Sequence, residues 1–391
     1  MLETSFQFIL PFSNALNSAF LAMKIDHIHF FVEDAACQRD WLIQCMGWKF
    51  VSRATLTDRD LEVLRYRDTY FVLSSPRTSD SPVAEYLRTY APGVADVAIE
   101  VEDLAAVWQQ LQGNSLVMQK RIGDTHAGRL AAPTTQASPV LAQLAHLEGK
   151  NQLRAWTSIA GWGSLSHTLV ERRSRPRLSP QLPQVQPHRA IDHIVLNVPA
   201  GELALAVAFY QQLLGLQQGQ SFKIQTERSG LRSQVLSDPA SQFYFNINEP
   251  ASANSQIQEF LDANHGAGIQ HIALHSEPIL TTVAAWRQQG LPLLSVPGTY
   301  YRRLQERLRG SRLAMPPLQE WQQIVEQQIL IDWHPEKPES LLLQIFSLPV
   351  FSKNQFFFEF IERREAVQGF GEGNFLALYE AIEAEFQQQS R

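Results

Sequence analysis

Ile191-Asp192-His193-Ile194 opens an apolar stretch rich in β-branched residues, and the same four residues open another at Ile25-Asp26-His27-Ile28. The likeness continues outward from these two points. Gly93-Val94-Ala95-Asp96-Val97-Ala98-Ile99 returns as Gly268-Ile269-Gln270-His271-Ile272-Ala273-Leu274, which sets Asp96 against His271. His167-Thr168-Leu169-Val170-Glu171-Arg172-Arg173 returns as Phe358-Glu359-Phe360-Ile361-Glu362-Arg363-Arg364, which sets Thr168 against Glu359. Chance can supply one such echo, but three in the same order indicate a duplicated domain. Between the copies stand Pro176, Pro180, Pro183 and Pro187, which remove backbone donors and favour an extended linker. The expected division is a poorly structured extension over 1–22, a first domain over 23–173, the linker over 174–189 and a second domain over 190–391.

The second copy predicts an alternation of elements. Ala190–Val198 alternates apolar and polar residues as a strand does, and Glu202–Leu216 carries Leu205, Phe209 and Leu213 at helical spacing. Phe222–Gln225, Ser233–Leu236 and Phe243–Ile247 have the composition of short antiparallel strands. Ser255 and Gln258 have capping-box spacing, and Asn264-His265-Gly266 is expected to stop the helix between. Ile329–Trp333, Leu341–Phe346 and Phe356–Ile361 supply three more strands, and a helix is expected from about Asn374. Amphipathic helices follow the second echo in both copies, at Leu104–Leu111 and Leu280–Gln289. The fold class is α+β, with duplicated βαβββ modules whose open, curved sheets can wrap a site.

Composition excludes several functions. Hydrophobic residues make up 45% and aromatics 10%, too much apolar side chain for a disordered segment. The net charge of −6, with no long run of Lys or Arg, argues against nucleic acid or an anionic membrane as the main partner. Cys37 and Cys45 are too few for a disulfide framework and suit a reducing cytoplasm, the expected location. Pro11, Ser13, Asn14 and Asn17 interrupt the mildly apolar start, which also lacks the basic opening of a secretory signal. No stretch reaches the ~20 apolar residues of a membrane span.

The chemistry centres on His193, His271 and Glu359. Two imidazoles and one carboxylate on three strands are the facial triad of non-haem Fe(II) oxygenases, leaving room for O2 and a bidentate α-keto acid. Taken singly, each residue has an ordinary alternative: a strand histidine is more often core, and a strand glutamate often faces solvent. The duplication shifts that balance. The matching places in the first copy hold His27, Asp96 and Thr168, an incomplete ligand set, so metal is expected in the second copy alone.

Six stretches carry a closer likeness: Ile191-Asp192-His193, Asn248-Glu249-Pro250, Gly266-Ala267-Gly268-Ile269-Gln270-His271, Pro297-Gly298-Thr299-Tyr300-Tyr301, Leu343-Gln344-Ile345-Phe346 and Gly369-Phe370-Gly371-Glu372-Gly373-Asn374-Phe375. In this order they resemble the 4-hydroxyphenylpyruvate dioxygenase family of vicinal-oxygen-chelate enzymes, from about Lys24 to the C-terminus. The resemblance implies two tandem vicinal-oxygen-chelate domains, with Fe(II) on His193, His271 and Glu359. It puts Ser233, Asn248, Gln256, Gln270 and Gln344 on polar substrate-binding positions. Phe346 and Phe375 fall on the aromatic pair around the substrate ring, with Phe370 and Asn374 beside them and a C-terminal helix as a gate. The implied reaction takes 4-hydroxyphenylpyruvate and O2 to homogentisate and CO2, in a homo-oligomer (dimer or tetramer). The alternatives are 4-hydroxymandelate synthase, with benzylic hydroxylation on the same fold, and a non-catalytic binding protein of that fold. Two features depart from the family pattern: Asn246, where many relatives carry proline, and a longer turn over Asp332–Glu339.

Overall fold

Each half is laid out around one buried strand. In the computed structural model the described residues are 23–112, 134–136, 138–145, 153–172, 189–225, 230–238, 243–309, 316–334, 337–351, 355–365, 367 and 369–374. The first half contains β1 Lys24–Phe31, β2 Lys49–Thr55, β3 Arg59–Tyr66, β4 Thr69–Pro76, β5 Gly93–Val101, β6 Leu153–Ala160 and β7 Ser166–Arg172, ordered β2-β3-β4-β1-β5-β7-β6. The second contains β8 Ile191–Asn197, β9 Gln217–Gln225, β10 Gly230–Asp238, β11 Phe243–Pro250, β12 Gly268–His275, β13 Leu330–His334, β14 Lys337–Phe346 and β15 Phe357–Arg363. Their order, β13-β14-β15-β12-β8-β11-β10-β9, repeats that of the first sheet with β13 added at one edge. Among the described residues of the first half, a bridge from Thr134 to Trp156 holds the place of β13.

The register repeats as well. Asp96 lies opposite His29 on β1 and Ser166 on β7; His271 lies opposite Val195 on β8 and Phe357 on β15. Asp96 and His271 therefore occupy the same place in the two sheets, as the sequence echo implies.

Side chains on the opposite faces of β1 and β15 join the sheets through a shared core. Phe30 lies 5.4 Å from Phe356 and 6.5 Å from Phe358, and Trp286 lies 4.4 Å from Phe360. All four phenylalanines are almost fully buried, each contributing about 2 kcal/mol. Tyr66 donates to the His275 carbonyl at 2.7 Å and Trp286 to the Met46 carbonyl at 3.1 Å, so the halves are tied by hydrogen bonds too.

The predicted helices that fall on described residues are present, with local differences. The helix Leu203–Leu214 ends at Gly215, whose φ of 66° only glycine takes without strain. Ser255 caps Gln256–Asn264 by accepting from the Gln258 backbone. The box is not closed, because the Gln258 amide donates instead to Asp262. In the second half two helices were not predicted, Gly298–Arg309 and Leu318–Glu326. Their buried Tyr300, Tyr301, Leu304, Trp321 and Ile324 cover the β13 side of the second sheet. The extension at 1–22, all of the linker but Arg189, and Phe375 with the helix expected to follow it lie outside the described residues. Among the described residues no helix is long and apolar enough to cross a membrane.

Candidate metal centre

Cross-strand pairing decides which side chains share the face of the second sheet turned away from the common core. One rung runs Tyr244, His193, Ala273, Glu359, Phe346 across β11, β8, β12, β15 and β14. The next runs Asn246, Val195, His271, Phe357. His193, His271 and Glu359 thus come from adjacent rungs of three neighbouring strands. Their ligand atoms lie within 4.8 Å of one another, and His193 Nε2 and His271 Nε2 stand 3.3 and 3.6 Å from Glu359 Oε2.

Two β-bulges orient the imidazoles. Asp192 on β8 and Gln270 on β12 have no partner in the β8–β12 ladder, so each is an extra residue directly before a histidine. The bulge lets adjacent side chains meet. Asp192 Oδ1 accepts from His193 Nδ1 at 2.8 Å, and Gln270 Oε1 accepts from His271 Nδ1 at 3.2 Å. With Nδ1 of each ring turned to its own oxygen acceptor, both Nε2 atoms face Glu359, the nitrogen through which each ring could ligate a metal that displaces any proton there. Arg363 holds Asp192 in turn with a forked pair at 2.6 and 2.8 Å.

The electrostatics suit a cation. Burial alone would raise the Asp192 carboxyl, but the Arg363 charge and the bonds from Arg363 and His193 hold it well below the usual range. Burial also disfavours charge on His193, yet Glu359 and then Asp192 outweigh it and raise that imidazole to about 9. His271 is pushed well below its ordinary value by burial and by His193 beside it. Glu359 is fully buried, and neither carboxylate oxygen has a hydrogen-bond partner. A buried carboxylate that accepts no hydrogen bond and faces only two imidazole nitrogens is expensive, and a divalent cation among these three groups removes the expense. The donor set fits a metal ion.

The other predicted residues divide into groups. Ser233 on β10 and Asn248 on β11 face each other, both buried, with Ser233 Oγ and Asn248 Oδ1 unpartnered. Gln270 is occupied with His271. Gln344 and Phe346, two apart on β14, share the Glu359 face, and Gln344 Nε2 is unpartnered. The Phe370 and His193 rings meet edge to face, with centroids 5.1 Å apart. Asn374 is fully buried; its amide donates to Gln344 Oε1 at 3.2 Å and its oxygen accepts from Tyr300 at 2.8 Å. This segment crosses Gln344 at Gly371, where any Cβ would overlap the Gln344 amide and φ is 75°. Gln256 differs, being exposed at the first turn of its helix. Sequence reasoning missed Arg363, Asp192, Asn197 and Tyr300 as parts of the site. For the first two the signal was present, since both copies carry the same aspartate and arginine.

Residues 192–305 match the family model of the glyoxalase/bleomycin resistance protein/dioxygenase superfamily. A solved structure of a 4-hydroxymandelate synthase mutant from Streptomyces coelicolor superposes with a TM-score of 0.74 at 25% identity, over 94% of this chain and 99% of that one. An uncharacterized protein of Synechocystis is 34% identical over 92% of this chain and 97% of its own length. The 4-hydroxyphenylpyruvate dioxygenase of Caenorhabditis briggsae is 30% identical over 93% of this chain and 92% of its own. With relatives of that name at 30% identity matching nearly end to end, the chain belongs to the 4-hydroxyphenylpyruvate dioxygenase family.

Proposed function

We propose that the protein is an Fe(II)-dependent 4-hydroxyphenylpyruvate dioxygenase, converting 4-hydroxyphenylpyruvate and O2 to homogentisate and CO2. The observation that carries this reading is the buried triad in which Glu359 accepts no hydrogen bond, set beside the neutral side chains of Ser233, Asn248 and Gln344. Iron held by His193, His271 and Glu359 would supply the redox chemistry and open positions that O2 and a keto acid require.

The chain's own side chains do the rest. Asp192 and Gln270 fix the imidazole tautomers, and Arg363 keeps Asp192 ionised. Phe346 and Phe370 line the triad and keep water from it, with Phe375 proposed beside them. Gln344 offers an amide proton to an acceptor on the keto-acid side, while Ser233 and Asn248 meet the polar end of the ring. Asn374 positions Gln344 from behind. Gln256, being exposed, is left out of this wall. The enzyme is proposed to act in the cytoplasm as a homo-oligomer.

The test is purified protein with Fe(II), ascorbate and 4-hydroxyphenylpyruvate, following O2 uptake and products together. Homogentisate formed one for one with O2 consumed supports the reading. Hydroxymandelate in its place would move the chain to the synthase branch, and no uptake would leave a binding protein.

A further inference from the structure

One rung beyond His271, the site face is polar from strand to strand and runs under the end of the helix Gln256–Asn264, where a Cβ on Gly268 would meet the Asn264 amide. Ser233 faces Asn248, Asn248 faces Asn197 on β8, and β12 brings only Gly268 to that rung. Asn197 is fully buried, and neither its Nδ2 nor its Oδ1 has a hydrogen-bond partner. Asn246 Oδ1, one rung nearer His193, is unpartnered in a buried residue as well. Unpaired buried amide groups are rare and cost about 1–3 kcal/mol each. The strand does not require one here: Leu196 and Val198, on either side of Asn197, are apolar and fully buried.

The kinds of atom point to a guest. Asn197, Asn246 and Asn248 each present an unpartnered carbonyl oxygen, and Asn197 Nδ2 is the one amide donor among the unpartnered atoms of these three. Across Glu359, at the opposite end of the face, the unpartnered atom is Gln344 Nε2, a donor. A carboxylate carries only acceptors and suits the donor end beside the metal ligands. A phenol hydroxyl carries one proton and free lone pairs, and suits the acceptor-rich end.

We infer that Asn197 is a substrate-binding residue that selects for the ring hydroxyl: its Nδ2 donates to the phenol oxygen while Asn248 Oδ1 accepts a hydrogen bond from the phenol O–H. This rests on the proposed function and adds to it a determinant of which aryl keto acid is preferred. A site that hydrogen-bonds a hydroxyl rejects the analogue lacking it, because its own buried groups are then left unpaired.

The probe is phenylpyruvate, the same keto acid without the ring hydroxyl, compared with 4-hydroxyphenylpyruvate in wild type, Asn197→Leu and Asn197→Ala. Binding to the Fe(II) protein without oxygen is measured by calorimetry and turnover by O2 uptake, with iron content and Tm followed in parallel. The expected result is at least a tenfold fall in the preference for the hydroxylated substrate, in Kd and in kcat/KM. That loss should fall on 4-hydroxyphenylpyruvate, with phenylpyruvate binding held and iron retained. An unchanged preference, or equal loss on both keto acids, would overturn the assignment and leave Asn197 a packing residue. The leucine variant keeps the volume of the side chain, so a folding defect confined to alanine leaves the comparison intact. A wild-type protein that binds neither keto acid would overturn the proposed function together with this inference.

Discussion

The two sheets share one frame and differ in what stands on it. In the second half Arg363 forks onto Asp192, which holds His193; in the first, Arg172 forks onto Asp26 at 2.7 and 3.1 Å, which holds His27 at 2.9 Å. The bulges at Asp192 and Gln270 have counterparts at Asp26 and Ala95. Glu362 accepts from the backbone of Ile279 at 2.6 Å, and Glu171 from that of Leu104 at 3.1 Å, each at the start of the helix that follows the echo strand. What differs is the ligand set and the filling of the face. Asp96 and Thr168 stand where His271 and Glu359 would, and the buried Leu144 from the helix Pro139–Ala145 packs with Leu61, Val63, Tyr70 and Val72. Ion pair, bulge and helix cap are common to both halves, so the frame is kept where Asp96 and Thr168 replace two members of the triad.

The largest effect should come from writing the first half into the second. Glu359→Thr places the first copy's residue at the third ligand position and removes the only carboxylate. We expect loss of bound iron and a fall in turnover of about 10³-fold or more, read by metal analysis and O2 uptake. His193→Ala and His271→Asp should do the same. Iron and activity retained in Glu359→Thr would refute the ligand assignment.

Breaking the shared ion pair should separate the halves by kind of damage. Arg172→Leu strands Asp26, which is fully buried, and should cost about 3–5 kcal/mol of stability while the folded fraction keeps its iron. Arg363→Leu removes the support of a proposed ligand and should weaken iron binding by about 10–100-fold besides lowering Tm. Iron titration against thermal melting distinguishes the two. Equal iron loss in both variants would count against the division of roles.

Much of this comparison was legible in the sequence, and the illegible part has a physical reason. The echoes place His271 opposite Asp96 and Glu359 opposite Thr168, and the observed registers agree. Asp26 and Asp192, Arg172 and Arg363 lie inside those same echoes, but nothing in a linear pattern shows that they meet, because their contact depends on a bulge set by cross-strand pairing. The helix Gly298–Arg309 carries its buried side chains at 300, 301, 304 and 308, a readable spacing hidden among six charged or amide side chains. Asn197 was unreadable for a different reason. An asparagine at a strand end is ordinary, and only its burial without a partner marks it.

A smaller effect is expected at Asp96, where burial raises the carboxyl above its ordinary value. The folded chain then holds this proton more tightly than the unfolded chain. Its stabilising contribution is complete below the ordinary carboxylate range and is lost as pH rises through the raised folded value. At neutral pH the charged group is a net cost that Asn lacks. Asp96→Asn should therefore raise Tm by about 2 °C at pH 7 and by little at pH 4, with activity unchanged. A Tm gain of equal size at both pH values would show that packing, and not ionisation, is responsible.

The smallest effect belongs to His27, the counterpart of His193. It stands at the same place on its strand and keeps the same aspartate, so only the company it keeps sets it apart from the triad. Its surroundings do not: the positions across the sheet hold Asp96 and Thr168, with Asp96 already bonded to Ser166 at 2.8 Å. His27→Ala removes one hydrogen bond to Asp26 and should cost about 1 kcal/mol of stability, with iron content and kcat/KM within twofold of wild type. A tenfold loss of turnover or of iron would mean that the first sheet still reaches the site, and the two halves could no longer be treated as a loaded frame beside a retired one.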